Sequence, residues 1–80
     1  MVIIIENCEL RSYEFKSRKD NSGQYLVFRF EDSNGVQHSA IAKDNSLVDK
    51  FDKGLNCSIK ANLFIGSEYT NLTILDFIYN

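Results

Sequence analysis

The sequence has no proline, no tryptophan and a single histidine among its 80 residues. Without proline, no strand is confined to a sheet edge or interrupted for want of an N–H donor. One histidine and two cysteines, Cys8 and Cys57, leave no set with metal-ligand spacing. P-loop, Gly-rich dinucleotide and nucleophile-elbow sequences are missing, so an enzyme is not expected. The apolar run Val2 to Ile5 is too short for a signal-peptide core or a membrane span, and no basic segment precedes it. A cytoplasmic protein with two buried thiols follows, with no cofactor and no membrane partner. Basic charge is not in excess either: nine Lys and Arg stand against eleven Asp and Glu, a net charge of −2. Phosphate backbones reward basic proteins, so the total counts against nucleic acid. The distribution of charge over the surface, however, decides what a given face attracts.

What the sequence does have is strand pattern. Hydrophobic residues make up 44% and charged residues 25%, which fits a globular chain rather than a disordered one. At this length residues 1–80 form one domain, whose small core favours oligomerisation. Turn signals fall at Asp20-Asn21-Ser22-Gly23, Asp32-Ser33-Asn34-Gly35, Gly54 and Gly66-Ser67. They separate five β-like runs and one short helical run.

The first run, about Val2 to Lys16, changes parity. Cys8 and Leu10 share one phase, Tyr13 and Phe15 the other, so a bulge near Arg11-Ser12 is expected. In the second run Leu26, Phe28 and Phe30 face the core, while Tyr25, Val27 and Arg29 face away. Asp32-Ser33-Asn34-Gly35 suits a type I turn with Gly35 in the left-handed conformation, closing a three-residue hairpin loop. That register sets Phe30 against His38, Phe28 against Ala40 and Leu26 against Ala42. It also puts Gln37, Ser39, Ile41 and Lys43 on the outer face beside Tyr25 and Arg29. His38 is then a partly buried packing residue at the barrel end. A helix is predicted over Asn45 to Lys53, capped by Asp44 or Asn45, with Leu47, Val48 and Phe51 as its apolar stripe and Gly54 as its stop. In the fourth run Cys57, Ile59, Ala61, Leu63 and Ile65 share the core face. The last runs from Tyr69 to Tyr79, with Leu72 and Ile74 toward the core. Leu75 and Phe77 break the phase, which suggests burial on both faces or contact with a partner chain. Asp76, in apolar surroundings, is expected to make a strand-end hydrogen bond.

The order β-β-β-α-β-β, with the short helix between strands three and four, predicts an all-β, five-stranded OB-type barrel. An SH3-like barrel would carry its helical turn one strand later, and an open meander is the other competitor. OB barrels bind oligonucleotides and oligosaccharides across strands two and three, flanked by the first and fourth hairpin loops. Single-strand binding needs aromatic platforms for bases and cations for phosphates. The candidates are Lys16, Arg18 and Lys19 in the first loop, Tyr25 and Arg29 on strand two, Ser39 and Lys43 on strand three, and Phe64 and Tyr69 at the fourth hairpin. Tyr13 and Phe15 are further platforms if they face solvent.

In length, strand order, the basic hairpin Lys16-Ser17-Arg18-Lys19-Asp20-Asn21-Ser22-Gly23-Gln24 and the Tyr25 that follows, the chain resembles the small OB-fold single-stranded DNA-binding proteins of bacteriophages and mobile elements. The helix-destabilising proteins of filamentous phages are the type. The chain departs from them in being slightly acidic, and it lacks the acidic tail of bacterial single-strand binding proteins. The resemblance implies non-sequence-specific binding of single-stranded DNA, with RNA possible, a role in DNA replication, and a homodimer. The alternative is a protein-interaction module, a small phage or mobile-element inhibitor that grips a host protein through the Leu75-Phe77-Tyr79 edge or through the same barrel face. An oligosaccharide-binding domain would have little need of the Lys16-Arg18-Lys19 cluster.

Overall fold

The computed structural model describes residues 1–79. Five strands, β1 (Val2–Ser17), β2 (Gln24–Glu31), β3 (Gln37–Ala42), β4 (Asn56–Ile65) and β5 (Thr70–Tyr79), close a barrel in the order β1-β2-β3-β5-β4. One short 3₁₀ helix, η1 (Asn45–Lys50), lies between β3 and β4. This is the OB arrangement, and both competitors fall away: the barrel is closed and its helix precedes β4.

Closure depends on bulges, because a flat strand cannot pair on two sides of so small a barrel. β1 pairs with β4 through its first half and with β2 through its second. Its register shifts between Leu10 and Ser12, at the expected place. A second shift, between Ile5 and Cys8, was not foreseen; it contains Asn7 at φ 58°, a conformation that Asn tolerates better than most residues. The phase break in β5 is a third bulge: Ala61 pairs with Ile74 and Lys60 with Asp76, which leaves Leu75 as the extra residue. Ile74 and Phe77 can thus both point inward.

The turn after β2 has the expected chemistry. Asp32 N–H donates to the Val36 carbonyl and Gly35 N–H to the Asp32 carbonyl, with Gly35 at φ 80°. The Asp32 carboxylate also accepts from the N–H groups of Asn34 and Val36. The ladder sets Phe30 against His38 and Phe28 against Ala40, as read from sequence, and ends at Val27 against Ile41.

The core holds Cys8, Leu10, Leu26, Phe28, Phe30, Ala40, Ala42, Leu47, Cys57, Ile59, Ala61, Ile74 and Phe77. Phe28 is its centre: it stacks on Phe51 at 5.7 Å between centroids and meets Phe77 edge-on at 4.9 Å. Tyr13 completes this cluster against Phe51 at 5.1 Å. Asp44 caps η1 by accepting from Ser46 N–H. The helix is shorter than predicted. It ends because Phe51 turns to an extended ψ of 130° to reach Phe28, and Gly54, at φ 84°, serves the turn beyond it rather than the helix stop.

Two local expectations are corrected. Leu63 is half-buried and Ile65 exposed, because the β4-β5 hairpin runs past the end of the barrel. His38 is exposed; it stacks on Phe30 at the rim and meets Asp32 at 2.7 Å. The Leu75-Phe77-Tyr79 row is engaged in part, with Tyr79 38% exposed and no β3 partner beyond Ile74. Phe77 is buried, Tyr79 O–H donates to the Lys50 carbonyl, and Asp76 accepts from both Phe77 N–H and the Lys50 ammonium. These bonds tie η1 to the second half of β5, a common way to blunt a strand edge.

Candidate functional site

Tyr25 begins β2 directly opposite Lys16 on β1, so the first hairpin brings the basic segment against an aromatic ring. The hairpin loop is held by Arg18 N–H on the Gly23 carbonyl and Asn21 N–H on the Arg18 carbonyl. Asn21 at φ 58° and Gly23 at φ 141° supply its left-handed positions. Arg18 folds back over Tyr25, its guanidinium carbon 5.7 Å from the ring centroid, a cation–π contact. The loop's one acid, Asp20, accepts from Ser22 N–H and is held below the ordinary carboxylate range by its hydrogen bonds to Ser22.

Beside Tyr25 an open groove of about 410 Å³ runs along the outer face, lined by Lys16, Tyr25, Val27, Ser39, Ala40, Ile41, Thr70, Asn71 and Leu72. It exists because β3 and β5 meet only briefly. Their parallel ladder has two pairs, Ile41 with Thr73 and Ala42 with Ile74. Before those pairs the strands diverge, and the start of β5 becomes the far wall. Val27 is an outward residue in the strand alternation yet only 7% exposed, which fits a concave floor.

Beyond the far wall stand Phe64 and Tyr69, the last outer residue of β4 and the residue before β5. They are 51% and 64% exposed, and their rings meet at 5.6 Å between centroids. Phe64 is the cross-strand neighbour of Asn71, so the aromatic pair adjoins the groove wall. Gly66 lies under it: an added Cβ would sit 3.1 Å from the Phe64 ring. Glu68, in the same turn, adds an acid at this end.

The ion pairs separate the cations into two groups. Arg11 pairs with Glu9 and Glu31, Arg29 with Glu14 at 2.8 Å, and Lys50 with Asp76 at 2.8 Å. Among the described residues Lys16, Arg18, Lys19, Lys43, Lys53 and Lys60 have no ion-pair partner. Three of these six fall within residues 16–19, where Lys16 lines the groove and Arg18 lies over Tyr25.

The structure therefore brings Lys16, Tyr25 and Ser39 together in the groove, with Arg18 on the ring. Lys19 lies in the same loop, and Phe64 and Tyr69 stand at the opposite end. Arg29 shares the outer face but is engaged by Glu14, and its hydrogen bond holds the Glu14 carboxyl below the usual range. Lys43 follows β3, where its N–H donates to the Ile74 carbonyl, and it does not line the groove. Tyr13 and Phe15 face the helix end of the barrel, in edge contact with each other, away from the Tyr25 side chain across the β1-β2 pair. The groove residues that sequence reasoning missed are Thr70, Asn71 and Leu72. Their signal is topological, because a parallel β3-β5 closure puts the first residues of β5 beside β3. Comparison with protein-family models, with curated proteins and with solved structures finds no match for this chain.

Proposed function

We propose that this barrel binds single-stranded nucleic acid, most naturally DNA, in the groove between the first and fourth hairpins, by stacking and charge and without sequence-specific recognition along most of its length. The observation that carries this reading is the coincidence at Tyr25. An aromatic ring borders an open groove, the unpaired cations Lys16 and Arg18 lie against it, and Lys19 follows in the same loop. A base stacks on Tyr25 while the phosphates run along the basic hairpin. The strand then crosses the apolar floor of Val27 and Ile41 toward Phe64 and Tyr69, where a second base stacks. Glu68 disfavours phosphate at that end, so the backbone stays toward the first hairpin while the bases reach across. A largely exposed aromatic pair fits a stacking platform, since base–aromatic stacking contributes about 1–3 kcal/mol per base. The groove is too open and too mixed in polarity for the apolar enclosure typical of a small-molecule site.

The net charge of −2 limits affinity but not the site. Three of the nine cations are neutralised by acids elsewhere on the barrel, which leaves the hairpin as a local positive patch. A titration of end-labelled oligo-dT, with a duplex of equal length as control, tests the reading. Preferential binding of the single strand is expected. Equal binding of the duplex, or no binding of either, contradicts it.

A further inference from the structure

The groove has one more property that stacking and charge leave unused. Its far half presents hydrogen-bonding groups that the β3-β5 ladder does not take up. The bond from Asp32 N–H to the Val36 carbonyl fixes the phase of the β2-β3 ladder, in which hydrogen-bonded and non-hydrogen-bonded pairs alternate. Counting from it, Phe30 with His38 and Phe28 with Ala40 exchange backbone bonds. Ser39, between them, points its N–H and C=O away from β2 and toward β5. At that level β5 has parted from β3, because their ladder begins only at Ile41 and Thr73. The Ser39 peptide groups thus open into the groove. Across from them the exposed Asn71 also lines the groove, and among the described residues its side-chain amide makes no hydrogen bond. On its other side Asn71 has Phe64 as its cross-strand neighbour.

We infer that Asn71, with the Ser39 peptide groups, reads the edge of one nucleobase in the groove, so that this single position has a base preference within otherwise unspecific binding. The inference rests on the single-strand reading above. An amide side chain and a peptide group each offer one donor side and one acceptor side, which is the complement of a Watson–Crick edge. Bases in a single strand expose that edge, whereas in a duplex it is occupied. Neighbouring aromatics hold the bases in plane, and the polar pair distinguishes among them.

Thymine and cytosine oligomers make the cleanest comparison, because the two bases are alike in size and reverse the donor and acceptor at N3 and position 4 of the Watson–Crick edge. Thymine offers the O4 acceptor there and cytosine the N4 amino donor. The parent protein is titrated with oligo-dT and oligo-dC of one length at one salt concentration. The two affinities should differ by about 5-fold or more, the low end of what a two-bond base contact discriminates. Asn71→Leu, which keeps the volume and removes both polar groups, should bring the ratio close to one. Asn71→Asp should also shift the ratio, because an ionised carboxylate only accepts and so loses whichever contact needs a donor. Lys19→Ala serves as the control. It should weaken both oligomers alike and leave the ratio where it was. Asn71 is exposed, so the variants should melt as the parent does, and a thermal scan checks this. A parent ratio near one, or a ratio unmoved by both Asn71 variants while binding persists, overturns the inference and leaves the single-strand reading standing. Failure of the parent to bind either oligomer overturns both.

Discussion

The barrel carries two sets of aromatic side chains whose surroundings are opposite. At the helix end, Phe28, Phe51, Phe77 and Tyr13 pack into one cluster with centroids 4.9 to 6.5 Å apart, and Phe28 and Phe77 are buried. At the groove, Tyr25 meets a guanidinium, while Phe64 and Tyr69 pair with each other and are more than half exposed. The same residue types hold the fold at one end and await a ligand at the other. What separates them is whether a core lies behind the ring. The cations divide in the same way: Arg11, Arg29 and Lys50 are engaged by acids, and the hairpin trio is not.

The largest effect that could break this contrast is on stability. Phe28→Ala should destabilise the barrel by about 3–5 kcal/mol, the range for buried Phe truncations, which is a large share of what an 80-residue domain has. Phe64→Ala should stay within about 0.5 kcal/mol of the parent, as exposed substitutions usually do. Urea unfolding of both variants decides it. Similar losses at the two positions would mean that Phe64 is structural after all.

Binding sharpens the comparison next. Tyr25→Ala should weaken oligo-dT binding by roughly 5- to 150-fold, the equivalent of one lost stacking contact, with little change in salt slope. A folded Tyr25 variant that binds as the parent does would move the platform to Phe64 and Tyr69. Among the cations, replacing Lys16, Arg18 and Lys19 together by Ala should flatten the salt slope by up to about 0.7 per lost phosphate contact. Arg29→Ala should change the slope much less, because Glu14 already neutralises that charge. Equal changes would show that the Arg29–Glu14 pair opens to accept phosphate.

The smallest effect concerns the packed end alone. Burial pushes the Cys57 thiol up to about 11, and Tyr79 is also raised, chiefly by burial. Both groups favour the neutral form in the folded barrel. The Cys57 contribution is therefore whole below the unfolded thiol value of about 8.5 and is lost as pH rises from there through about 11. Urea midpoints should fall over that alkaline window. A Cys57→Ser variant should lose less of its midpoint there than the parent. A parent midpoint that holds steady through the window would mean the thiol is not desolvated.

How much of this could be read from sequence varies by element. The β2-β3 hairpin was legible because Asp32 to Gly35 has the residues a three-residue loop demands, and the loop fixes every cross-strand neighbour. The bulge after Leu10 was legible as a change of parity. The bulge between Ile5 and Cys8 has the same signature, but the uniformly apolar run before it hid the alternation. The engagement of Arg29 by Glu14 was out of reach. It depends on how far the first bulge slides β1 along β2, and a slip of one residue would have put another side chain there. The β5 wall of the groove was hidden for a similar reason, since it needs the parallel β3-β5 contact that no local pattern encodes. Tyr25 and the basic hairpin were found because chain neighbours in a tight hairpin remain neighbours in space.

The most direct measurement is the affinity of the parent for oligo-dT across a salt series. Three hairpin cations on phosphates should give log K against log salt a slope of about −2, at 0.7 for each contact on a single strand. A slope near zero, or no binding at low salt, would contradict the assignment of this groove to nucleic acid.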